Sequence, residues 1–172
     1  MAVIFRPTMK LAAKMRVQLE YIPLETNPIR RLGDWYAIEV NVSHLRLILC
    51  VSEHARLPIV IEAAPYKSIP ERLPLALEKL LRRIEIPEDK ITRELSQMNH
   101  VRFGKSLNRS ITGTLNQYKL DLEWGFYGSK PPQTLDDCTM RLADGICMPL
   151  KEKVPIKAAQ NLFLKPHLQL VH

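Results

Sequence analysis

The sequence predicts an α+β domain: an antiparallel β-meander sheet of about four or five strands, helices packed on one face, and a C-terminal extension. Three observations predict it. The β-rich runs WYAIEVNV, LRLILCV and LPIVIEA follow one another through short connections, which favours antiparallel neighbours. The segments after them carry apolar residues at helical spacing. The chain has 172 residues, 46% hydrophobic and 25% charged, enough for one core without covalent staples.

The elements follow in order. AVIFRP is a short apolar run closed by Pro7 and predicts a first strand. TMKLAAKMRVQL predicts a helix with Thr8 as N-cap and Leu11, Met15 and Leu19 on one face. IPLETNPIRRLGD, rich in Pro, Asn and Gly, predicts a loop. The first strand of the meander alternates, with Tyr36, Ile38, Val40 and Val42 on one side and Ala37, Glu39 and Asn41 on the other. Leu73, Leu77, Leu80, Leu81 and Ile84 form the apolar stripe of a helix from Pro70 to Ile84. Pro87 opens another helix, with Ile91, Leu95 and Met98 inward and acids in its first turn. HVRFGKS predicts an extended segment, and Ile111, Leu115, Tyr118 and Leu122 predict a last long helix. Residues 1–127 then form the domain, and 128–172 a linker, GSKPPQTLDD, and an extension with one short helix from Ile156 to Leu164.

A formal net charge of +7 and a pI near 9.5 are compatible with nucleic acid, anionic lipid or a phosphorylated ligand. The N-terminus has no apolar core of signal-peptide length, and no stretch approaches a membrane span. The three cysteines are too sparse for a disulfide framework or a zinc site, and Cys50 lies in an apolar run. This usage suits a reducing cytoplasm, with no membrane partner and no cofactor.

Short catalytic signatures are absent: there is no phosphate-binding Gly-rich loop, no zinc-protease motif and no nucleophile elbow. His44 and His54 fall in turns and read as solvated. His100, with apolar neighbours, suits a packed histidine, or one that reaches the end of the fold where the last helix begins. Glu71, Glu78, Glu85, Glu88, Asp89 and Glu94 are dispersed among cations on two amphipathic helices, the pattern of a solvated face. Asp136 and Asp137 are adjacent in the linker, a weak metal signal.

The stretch from Val101 to Leu120 is different. It holds Arg102, Lys105, Arg109 and Lys119 and no acid, with Asn108, Ser110, Thr112, Thr114 and Asn116 around Gly113. Cations, hydroxyls and the free N–H groups of a helix start suit phosphate recognition. The plainer reading is also sound: Asn108 or Ser110 as an N-cap, Gly113 in close contact with a strand, and the cations in solvent.

RPTMKL, LGDWYAIEVNVSHLRLILCVSE and NRSITGTLNQ, in this order, resemble an uncharacterised bacterial family, domain of unknown function 6933. The likeness covers residues 1–127 and extends toward MPLKEKVPIKAAQ. It implies a fold and no activity, and it singles out Thr8, Lys10, Trp35, Asn108, Arg109, Ser110, Gly113 and Asn116. The family helix carries an acid after the asparagine where this chain has Gln117, which weakens an enzymatic reading.

The expected site therefore has Thr8 and Lys10 at one helix start and Asn108, Arg109 and Ser110 at another, both at one edge of the sheet. Lys10, Lys105 and Arg109 would neutralise phosphate, while Asn108, Ser110 and Asn116 orient it. The leading expectation is a binding or regulatory protein for nucleic acid or another phosphate-bearing ligand. One alternative is a small metal-independent ribonuclease using His100 or Lys10 for proton transfer and Arg109 to stabilise charge on phosphorus. The other is an interaction module for an acidic protein partner.

Overall fold

The computed structural model describes residues 2–24 and 30–164. Five strands, β1 (Val3–Pro7), β2 (Trp35–Val42), β3 (Leu45–Ser52), β4 (Pro58–Glu62) and β5 (Val101–Phe103), form one open sheet in the order β4-β3-β2-β1-β5. Among the described residues six α-helices accompany it: α1 (Met9–Met15), α2 (Ile69–Arg83), α3 (Glu88–Ser96), α4 (Arg109–Tyr127), α5 (Leu135–Ala143) and α6 (Pro155–Leu164). The class is α+β.

The meander β2-β3-β4 is antiparallel, with Ala37 opposite Cys50 and Cys50 opposite Ile59. The sheet as a whole is mixed, which corrects the all-antiparallel expectation. β1 lies between β2 and β5 and runs parallel to both, Arg6 beside Tyr36 and Phe5 beside Phe103. A parallel return needs a crossover of a dozen or more residues. The chain from Met9 to Asp34 supplies it between β1 and β2, and α2 and α3 supply it before β5.

The helices cover both faces, not one. Successive strand residues point to opposite faces, yet every residue of β1 and every residue from Leu47 to Ser52 is buried. α1 and α2 lie on the Ala37 and Glu39 side, where Lys14 of α1 pairs with Glu39 at 2.8 Å and Tyr66 donates to the other Glu39 oxygen at 3.1 Å. α4 packs across β2 and β3 from the opposite side, that of Tyr36 and Ile38.

Local chemistry sets the helix limits. The Thr8 hydroxyl accepts from the Leu11 N–H at 3.3 Å and starts α1. α1 stops at Met15 because Arg16 takes the left-handed conformation and its N–H closes back on the last turn, so Leu19 lies outside the helix. α5 occupies a stretch expected to be partly linker. Thr134 caps it, Asp136 and Asp137 sit in its first turn, and Thr139 accepts from the N–H of Val60 on edge strand β4. Cys138, Leu142, Ala143 and Phe163 share one contiguous core with the sheet.

Glu94 also departs from the sequence reading. It is buried, because its two oxygens accept from the Arg31 and Leu32 N–H groups at 3.3 and 3.2 Å. α3 thereby holds the loop that leads into β2.

Candidate functional site

The site grows from Arg6. It lies mid-sheet on β1 and is 1% exposed, where an unpaired charge would be very unfavourable. Its guanidinium is satisfied on three sides: Nε donates to Asp34 Oδ2 at 2.8 Å, Nη1 to the Lys105 carbonyl at 2.6 Å and Nη2 to the Ile22 carbonyl at 2.8 Å. Asp34 also accepts from Arg30 at 3.1 Å. Its own N–H donates to Glu53 at 3.1 Å. Gly33 makes this turn possible, with φ +77 and Glu53 packed where a Cβ would stand. Arg6 thus ties the loop before β2, the loop after α1 and the chain leaving β5 to one buried charge. Sequence reading missed it, since one arginine in an apolar strand has no local mark of its partner.

Beside this network, β1 and β5 end next to each other. The chain leaves β1 through Thr8 into α1 on one face of the sheet, and leaves β5 through Lys105 and Ser106 toward α4 on the other. Adjacent parallel strands whose connections part to opposite faces leave a crevice at their carboxyl ends. Here that crevice is a cavity of about 780 Å³. Its apolar wall includes Pro7, Ala12, Ala13 and Val17, and its polar groups are Thr8, Gln18, Lys105 and Ser106.

Thr8 and Lys105 therefore meet at one cavity. The other expected residues are placed differently. Lys10 is exposed on the first turn of α1. Asn108 is the N-cap of α4: its Oδ1 accepts from the Ser110 and Ile111 N–H groups at 3.0 and 3.3 Å. Ser110 accepts from Arg56 Nη2 at 3.1 Å and lines a second cavity with Gly113 and Thr114. Arg109 and Asn116 are exposed on α4. Arg102 pairs with Glu20 at 3.0 Å.

The expectations for Gly113 and His100 need correction. Gly113 is no close contact: apart from its own helix backbone and its two chain neighbours, no atom of the described residues lies within 4 Å of where its Cβ would be. His100 is exposed rather than packed. It precedes β5, where its carbonyl accepts from Val3, so it stands at the opposite end of that strand from Lys105.

Burial shapes the ionisation of the side chains nearby. It pushes the Tyr36 hydroxyl up to about 12 against the pull of Arg6, whose guanidinium carbon lies 6.0 Å from the ring centre. Burial also raises Tyr118, whose hydroxyl donates to the Arg56 carbonyl at 2.8 Å, and it lowers Arg56. Among the described residues no three His, Cys, Asp or Glu side chains gather to hold a metal ion. No helix among them is long and apolar enough to cross a membrane.

Searches of the curated proteins and of the solved structures found no match to this chain. The family model "Domain of unknown function (DUF6933)" matches residues 4–158, from β1 into α6, so it takes in both sides of the crevice and α5 as well. The chain belongs to the DUF6933 family.

Proposed function

We propose that this protein binds a phosphate-bearing ligand, in the first instance a nucleic-acid strand or nucleotide, in the crevice at the carboxyl ends of β1 and β5. The observation that carries this reading is the meeting of Thr8 with Lys105 and Ser106 at one cavity of about 780 Å³. Its size is that of a small-molecule site, and its mix of apolar wall and few polar groups suits a base or sugar with a charged end. Lys105 is exposed at the side chain while its backbone is held by Arg6, so the ammonium extends from a fixed base. Lys10 and Arg109, both exposed on the helices that follow the two strands, add to the positive field.

The role is binding or regulation rather than turnover. Among the described residues His100 is remote along β5 from Lys105, and the crevice lining contains no carboxylate or imidazole. The test is a titration of the purified protein with RNA and DNA homopolymers and with nucleotides at two salt concentrations. Lys105→Ala and Arg109→Ala variants are measured in parallel. Binding should weaken steeply with salt, and Lys105→Ala should lower both the affinity and the salt slope. Affinity that is absent at low salt, or unchanged in Lys105→Ala, overturns the reading.

A further inference from the structure

A second surface belongs to α4 and has no part in the crevice. Gly113, Gln117, Leu120, Trp124 and Tyr127 follow one another at spacings of three and four, so they share one face of the helix. That face carries large apolar side chains in solvent: Trp124 is 74% and Tyr127 72% exposed. At its N-terminal end the face opens into a groove of about 380 Å³. Gly113 and Gln117 form one wall and Ile146 and Met148 the other, the last two 70% and 75% exposed. Among the described residues no side chain fills the space over Gly113. Gln117 donates to Asp121 at 3.0 Å, which turns its amide along the helix.

One helix face thus has protruding rings at one end and an apolar notch at the other. We propose that this surface pairs with a second copy of the chain, α4 against α4, antiparallel about a two-fold axis near Leu120. In that arrangement Tyr127 lies across from Gly113 of the other copy and Trp124 across from Asn116. Each copy's rings then enter the other's groove, as an isologous contact requires. The charges agree. Arg109 and Lys119 are the charged residues of the N-terminal part of α4, and Asp121 and Glu123 those of the remainder. Antiparallel pairing brings cationic and anionic halves together, with Lys119 of each copy on the flank of the other's Glu123. The area is also sufficient. Each aromatic can bury on the order of 150–250 Å². With Leu120, Ile146 and Met148 the total approaches the roughly 800 Å² per partner of a standard interface.

The experiment is sedimentation equilibrium on the full chain across the micromolar range, with circular dichroism to check folding. Wild type should be a dimer. Trp124→Glu should be a folded monomer, because it places a charge in the partner's groove. Gly113→Leu should also be a folded monomer, because the open space over Gly113 accepts the side chain and closes the notch. Lys119→Glu should weaken the dimer and the Lys119→Glu, Glu123→Lys double variant should restore it. A monomeric wild type overturns the proposal. So does a dimer that survives Trp124→Glu or Gly113→Leu, since its interface would then lie elsewhere.

Discussion

Arg6 Nε and Asp34 Oδ2 are 2.8 Å apart, and neither side chain is open to solvent. This pair joins the stretch that ends β1 to the turn that begins β2. Through its other nitrogens Arg6 also fixes the carbonyls of Lys105 and Ile22. Without Arg6, Asp34 keeps only Arg30 as its cation and both carbonyls lose their donor; breaking a buried ion pair of this kind costs roughly 3–5 kcal/mol. Arg6→Ala should destabilise the protein by about that amount, read as a lower urea midpoint with an unchanged slope. Arg6→Lys should recover little, because one ammonium cannot span three acceptors in a fork. A Lys variant as stable as wild type would show that charge alone matters at this position.

Gly104 is the counterpart of that pair. A Cβ there would stand 2.9 Å from Arg6 Nη1 and 3.1 Å from Ile4 Cγ2. The guanidinium cannot retreat without giving up its bonds to Asp34 and to the two carbonyls. Gly104→Ala should therefore cost roughly 1–3 kcal/mol, the range for overpacking. The two substitutions should not add, because with Arg6 shortened the clash is relieved. A double-variant cycle by urea unfolding measures this, and strict additivity would place the strain elsewhere.

Local patterns made much of this fold legible. The β2-β3-β4 meander was readable because short connections leave antiparallel pairing as the simple solution, and Cys50 was readable as core from its apolar neighbours. The position of β1 was not readable: a five-residue apolar strand carries no mark of which edge it pairs with or in which sense. Glu94 read as a surface acid because the N–H groups it holds are more than sixty residues away in sequence. Of the site, Thr8 and Lys105 do meet, although they come from different strands. Asn108 and Ser110 have local or structural partners, and their polarity reflects capping of α4 and the bond to Arg56.

Glu94 gives the fold a pH dependence of definite sign. Burial raises its pKa above the usual 4.5, and the bonds from Leu32 and Arg31 pull it only partly back. A carboxyl whose folded pKa is raised binds its proton more tightly folded than unfolded. Its favourable contribution is present at acid pH and declines as pH rises through the raised value. Wild type should therefore lose stability relative to Glu94→Gln from about pH 4.5 upward, then hold a constant difference. Urea midpoints of both proteins across this range provide the check. A difference that does not change with pH, or that moves the other way, would contradict the placement of Glu94.

Two tyrosines should respond oppositely to loss of the same hydroxyl. The Tyr118 oxygen donates to the Arg56 carbonyl at 2.8 Å, and Arg56 in turn reaches Ser110. Tyr118→Phe leaves that carbonyl without its donor and should cost on the order of 1–2 kcal/mol. The Tyr36 oxygen is buried and has no hydrogen-bond partner among the described residues. Tyr36→Phe keeps the ring beneath Arg6 and removes only a polar group already separated from solvent. Its stability should be unchanged or higher by up to about 1 kcal/mol. Thermal and urea unfolding of the two variants side by side decide the matter. If Tyr36→Phe loses as much as Tyr118→Phe, the Tyr36 hydroxyl has a partner in solution and the packing around Arg6 differs from that described.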